Sequence, residues 1–362
     1  MIAWFVASVF AGDVVDATCP ADAGWLDGHQ HLRALSLDLR GVVPSPEDEA
    51  RLVDGEVPED LVDEWLDSPE FAQRVVRHHR SLLWNNVSNL TLLTNNAYLS
   101  SVNGIYWRRN LADEYRGKSE QHCGDFPATL DVNGRPVGIP TGDGGVEEGW
   151  VEVHPYWDPD PDGVVKICGF DAQTAETSPL GTDCSSLQGL SDPYCGCGPE
   201  LRTCAISSYH REVAYGFGED VDRRVASMIE QDRSYLDLLT GTRGFVNGPM
   251  VHFYKYQSEM PGGARFVELP VDADVLPDLA FTDSDTWVEV DLGPQHAGVL
   301  TSPAWLLRFQ TNRARANRFY NSFLCQPFQP PDGGIPEAAD GSLTLDLTTR
   351  DGCKYCHALL EP

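Results

Sequence analysis

Apolar residues recur at helical spacing over two long stretches of this chain, and between them the periodicity is lost. Near the beginning, His31 to Leu39 places Leu32, Leu35 and Leu39 on one face, and Gly41 ends the run. Ser45-Pro46-Glu47-Asp48 and Ser68-Pro69-Glu70 each set a capping Ser before a Pro with acid in the first turn; Pro58-Glu59-Asp60 does so without Ser. The helices that follow carry stripes of Leu61, Val62, Trp65 and Leu66, then of Phe71, Val75, Leu82 and Leu83. From Gly218 the pattern returns with Val221, Val225, Met228 and Ile229, and with Tyr235, Leu238 and Leu239 after Ser234. A further helix is expected to bear Arg308, Arg313, Arg315 and Arg318. Residues 117–206 are rich in Gly, Asp, Pro and Cys, with short candidate strands at Trp150–Val153 and Val164–Ile167. A β-rich excursion is expected near 261–296 around Trp287-Val288-Glu289-Val290, and Pro327 to Pro336 reads as a linker.

The spacing thus predicts a mainly α protein with a loop-rich insert and short β excursions. Its expected divisions are 25–116, a helical domain; 117–206, the insert; 207–326, a second helical domain; and 327–362, a linker and terminal segment. A chain of 362 residues, 41% hydrophobic, has enough apolar surface for a real core. Its formal charge of −29 repels nucleic acid and anionic membranes and favours a basic partner or cations, although solubility alone accounts for such acidity.

The apolar run Ile2 to Ala11 has the length of a secretory signal and is too short to span a bilayer, so residues 1–17 are expected to be removed on export. No Lys or Arg precedes the run, and Asp16-Ala17-Thr18 before Cys19 lacks the Leu and small residues of a lipoprotein signal. No other segment reaches 18 uninterrupted apolar residues, so no transmembrane span is expected. An oxidising destination agrees with the cysteines. Six fall in the insert, at 123, 168, 184, 195, 197 and 204, where a loop-rich segment cannot bury enough apolar surface without staples. Cys195 and Cys197 are too close to bond one another and should take different partners; with Cys204 they could instead ligate a metal.

One motif names a chemistry. Cys353-Lys354-Tyr355-Cys356-His357 has the Cys-x-x-Cys-His spacing of a c-type haem attachment. Two sulfurs from one turn suit the two vinyl groups of a porphyrin, and His357 would then be the proximal iron ligand. A disulfide or redox pair followed by an incidental His competes with this reading. Half of a zinc site is weaker, because no second ligand pair lies nearby. Met250 is the first candidate for the distal ligand, with packing in the core as the alternative, His252 beside it and His78 or His79 as others. The arginines from 308 to 318 form a basic island suited to haem propionates, a partner or local salt bridges. Asp158, Asp160 and Asp162, alternating before Gly163, have the spacing of a calcium loop, although its twelfth position is Gly169 and two prolines stiffen it.

Three groups of residues carry a family resemblance. The first is Leu35 to Gly41 with Pro44 to Glu47, then Leu66-Asp67-Ser68-Pro69-Glu70-Phe71 and Arg77-His78. The second is Gly298 to Leu306 with Thr311 to Arg318, Cys353 to His357 and Leu360-Glu361-Pro362. Between them lies Val246-Asn247-Gly248-Pro249. Together they resemble the secreted, cytochrome-associated proteins abundant in planctomycetes and myxobacteria, and cover about a third of the chain. The resemblance implies secretion, a helical scaffold and haem c, and no known substrate. Chains of that family run on past the haem motif, so an end at Pro362 implies a truncated product or fragment and leaves the second axial ligand open.

No Gly-x-Ser-x-Gly, His-Glu-x-x-His or phosphate-binding glycine loop is present, so no hydrolase or transferase site is recognised. The sequence reads as an exported c-type haem protein with a redox or electron-transfer role and an unknown redox partner. The alternative is a secreted binding module stabilised by disulfides and calcium, without haem.

Overall fold

A computed structural model describes residues 26–87, 91–118, 120–260, 269–326, 344–350 and 352–360. The expected signal segment, Cys19 and the linker from Pro327 to Pro336 lie outside the described residues. Two units divide at Arg74 and Val75.

In the first unit, α1 (Gly28–Leu39) opens on a reciprocal cap between Asp27 and Gln30. The short α2 (Pro46–Glu49) is capped by Ser45, whose side chain accepts from the Asp48 N–H. α3 (Glu59–Leu66) buries Leu61 and Trp65 against Leu32 of α1. The Arg40 guanidinium lies 4.0 Å over the Trp65 ring and pairs with Asp48 at 2.8 Å. α4 (Pro69–Leu83) begins where expected, with Ser68 accepting from the Phe71 N–H, and from Val75 onward belongs to the second unit.

The second unit contains most of the core. Strands β1 (Ser100–Val102) and β2 (Ile105–Trp107) form a hairpin, and the short α5 (Ala112–Arg116) follows. β3 (Ile139–Pro140) pairs with β4 (Val146–Glu147), and β5 (Trp150–Val153) with β6 (Val165–Cys168). β6 also pairs in parallel with β2, giving one four-stranded sheet in the order β1-β2-β6-β5. The two strands expected in the insert therefore exist, but the sheet they complete starts before residue 117.

Three disulfides staple this region: Cys123–Cys168, Cys184–Cys195 and Cys197–Cys204. Cys195 and Cys197 take different partners, as their spacing requires, and neither is available with Cys204 as a thiolate metal ligand.

The central helix, α6 (Tyr209–Glu230), starts nine residues before Gly218, where the pattern predicts it to begin. Gly216 and Gly218 are close-packing positions within it. A Cβ at Gly216 would lie 2.8 Å from Met250 Cγ, and one at Gly218 would lie 2.8 Å from the Asn85 carbonyl oxygen. α7 (Asp237–Thr240) leads to β7 (Arg243–Val246), which pairs antiparallel with β8 (Val288–Asp291). β8 is the one strand among the described residues of the expected β-rich stretch; the remainder is mostly turns and loops, with a short 3-10 turn at Ala273–Val275. α8 (Gly248–Tyr256) is capped by Asn247, with Pro249 in its first turn. The arginine-bearing stretch forms two helices, α9 (Pro303–Arg308) and α10 (Asn312–Phe323), because Ser302 and Thr311 each cap a separate start. Last, α11 (Lys354–Leu360) packs against α10. Among the described residues no helix is long and apolar enough to cross a membrane.

Candidate functional site

Cys353 stands at the mouth of α11, and Cys356 and His357 lie in its first turns. The Cys353 carbonyl accepts from the N–H groups of both Cys356 and His357 at 3.1 Å, so one helical turn holds the three residues. Both thiols are free and half-buried, and His357 is half-buried beside them. The competing disulfide across this motif is not formed. Two unpaired thiols and an imidazole on one turn, reachable from solvent, are the donor set that covalent haem requires. Cys325, just past the end of α10, is a third free thiol and is exposed; the cysteines outside the motif thus do not all pair.

The candidates for a distal ligand lie elsewhere. Met250 is 1% exposed and takes the core-packing alternative, because α8 lays it against the bare backbone of Gly216. His252 is buried too. Its Nε2 lies 3.0 Å from the Arg202 carbonyl oxygen, and its ring stacks on Tyr156 with centroids 3.8 Å apart. Burial pushes the His252 imidazole down to about 3, more than the Arg202 carbonyl contact opposes. His79 is also buried, with Nδ1 2.9 Å from the Val75 carbonyl oxygen and Nε2 3.3 Å from the Tyr235 hydroxyl. His78, its neighbour in the chain, is exposed.

The expected calcium ligands do not converge. Among the described residues, the one group of three potential ligand atoms within 4.8 Å is Cys123, Glu148 and Cys168, and its two sulfurs are already bonded to each other. Two of the three carboxylates of the calcium-like loop serve the turn instead. Asp158 accepts from the Asp160 N–H at 3.0 Å, and Asp160 from the Asp162 N–H at 3.1 Å. That use of alternate carboxylates produces the same spacing as a cation loop without aiming the oxygens at one point.

An ionic cluster that the sequence does not reveal lies under the insert. Arg108 Nε donates to Asp171 Oδ1 at 2.8 Å, and Arg116 donates to Glu148 at 2.6 Å and to Asp171 at 3.2 Å. All four side chains are 0% exposed. Burial opposes the Asp171 charge, yet Arg116 and Arg108 hold its carboxyl below the usual carboxylate range. Glu148, touched by one arginine, is instead raised by burial. Tyr115 joins the cluster, bonding to Arg108 and donating to the Cys195 carbonyl at 2.9 Å. Two arginines balance two carboxylates, and all four are shut away from solvent. The network therefore holds segments together and offers no substrate site.

The basic island is different. Arg308 and Arg318 flank Trp84, with guanidinium carbons 5.3 and 4.1 Å from its ring centroid. Arg318 also donates to the Ser81 carbonyl at 2.8 Å. No carboxylate pairs with Arg308, Arg315 or Arg318 among the described residues, so the expectation of local salt bridging does not hold for these three.

Comparisons with protein-family models, curated proteins and solved structures found no match to this chain.

Proposed function

We propose that this chain is an exported c-type haem protein with an electron-transfer role. The carrying observation is the state of the cysteines. All six in the insert are paired, while Cys353 and Cys356 stay free on the turn that presents His357. In this reading the two thiols hold haem through thioethers, His357 ligates its iron, and the bound group supplies one-electron chemistry. Three disulfides support a home in an oxidising compartment. The resemblance to secreted, cytochrome-associated proteins points the same way.

Expression with the cytochrome c maturation machinery tests the proposal. A denaturing gel stained for haem should be positive for the parent and blank for Cys353→Ala with Cys356→Ala. His357→Ala should keep covalent haem at lower yield and show an altered absorbance spectrum, since it removes only the iron ligand. A blank parent lane would end the cytochrome reading and favour a disulfide-stapled binding module.

A further inference from the structure

We infer that Trp84, Arg308 and Arg318 form a docking platform for an acidic segment of a partner protein. The chain is strongly acidic, with 55 Asp and Glu against 26 Lys and Arg, so a surface arginine should readily find a carboxylate. Many do: Arg51, Arg80, Arg109 and Arg233 all pair with one. Arg308 and Arg318 pair with none among the described residues, and they crowd one another over a single indole. Burial, and after it the nearby Arg308 charge, hold Arg318 below its usual value. Arg318 Nε is also buried without a hydrogen-bond partner, and so is Arg315 Nε one turn earlier on the same helix.

The aromatic half of the platform is held out by the backbone. Trp84 follows the last residue of α4 with φ +51°, a left-handed conformation costly for a bulky side chain. Trp84 remains 46% exposed although largely apolar. Phe309 supports it from beneath, with ring centroids 6.4 Å apart, and itself rests on Trp305 at 4.8 Å. An exposed tryptophan on a rigid aromatic footing between two arginines has the composition of a protein-interface hot spot. Planar guanidinium groups suit bidentate carboxylates, which selects Asp and Glu side chains as the complementary chemistry. The negative charge of the whole molecule would steer a basic partner elsewhere on its surface; locally this patch selects the opposite sign. The inference does not depend on haem, although α10 carries Arg318 and packs against the helix of the haem motif.

Fluorescence anisotropy with labelled hexaglutamate and hexalysine peptides tests it on the full chain. Hexaglutamate should bind the parent despite the net charge of −29, weaken at least tenfold in Arg308→Gln with Arg318→Gln, and weaken with added salt. Hexalysine binding should be unchanged in that variant. Arg308→Gln alone should weaken hexaglutamate binding several-fold; it keeps the test valid if loss of the Arg318 bond to Ser81 unsettles the fold. Absence of hexaglutamate binding, or binding indifferent to both substitutions, would overturn the proposal. The same titration on haem-loaded protein separates the two carboxylate sources. Binding unaffected by haem supports a docking platform, whereas binding abolished by haem assigns the arginines to the propionates and overturns it.

Discussion

His252 shows how one side chain records its surroundings. Burial beside Tyr156 favours its neutral imidazole over imidazolium, although the Arg202 carbonyl favours the charged form. Its folded value of about 3 lies below the ordinary 6.5, so the unfolded chain binds the proton more tightly. Stability from this residue is therefore complete above pH 6.5 and is lost as pH falls from there toward 3. At pH 5 the loss amounts to roughly 2 kcal/mol. Between pH 7 and 5, urea unfolding of the parent should lose more stability than that of His252→Gln, by about this amount. An equal loss in both proteins would show that His252 is not the residue responsible. The sequence places His252 beside Met250 and suggests iron ligation for the pair; burial depends on Arg202 and Tyr156, residues far away in the chain. Arg108 and Arg116 were illegible for the same reason. Arginine reads as surface, and their carboxylates are 32 to 63 residues away.

Elements announced by local chemistry were legible in the sequence. The caps at Ser45 and Ser68 and the stripe from Leu61 to Leu66 are plain cases. Val246-Asn247-Gly248-Pro249 is also largely explained by local geometry, since β7 ends and Asn247 caps α8 there; only the Gly248 N–H reaches far along the chain, to the Asp283 carbonyl at 2.9 Å. The start of α6 was not legible, because two glycines suit a helix only where neighbours pack close, here Met250 of α8 on Gly216 and the Asn85 carbonyl on Gly218. For the insert, loop length ranks the staples. Cys123–Cys168 spans 45 residues and Cys197–Cys204 spans 7, and all four cysteines are 0% exposed, so their cavity costs are comparable. Replacing the first pair by Ala should cost about 4 kcal/mol and the second about 2.5 kcal/mol, read from denaturant midpoints. The reverse order would show that strain or residual structure outweighs loop closure. The Asp158–Gly163 turn gives a different expectation. With Asp158 and Asp160 each turned to a backbone N–H group of the loop, calcium and magnesium at matched ionic strength should raise the melting temperature equally, and Asp160→Asn should leave that equality intact. A shift specific to calcium and lost in Asp160→Asn would show that the loop reorganises around the ion.

For the whole molecule, composition and packing draw different boundaries. Residues 117–206 differ in composition from their neighbours, yet β1 and β2 supply half of their sheet and Arg108 and Arg116 supply both cations of their ionic cluster. Composition tracks local sequence, whereas a domain edge is set by where packing stops. A fragment of residues 117–206 should lack a cooperative thermal transition even when oxidised, and one of residues 98–206 should regain it, followed by near-ultraviolet circular dichroism. Equal behaviour would make the insert a self-sufficient module.

The closed ionic cluster also constrains how such a chain can change by descent. A single deletion of residues 117–206 would remove Glu148 and Asp171 together and leave two guanidinium groups with no carboxylate in a site built to exclude water. The insert would therefore be difficult to discard once acquired: both arginines would have to be replaced by neutral residues first, and each replacement made alone would leave the buried carboxylates one cation short in the intact protein. Loss would require several steps through unstable intermediates, whereas growth of the exposed loops around the cluster would meet no such barrier.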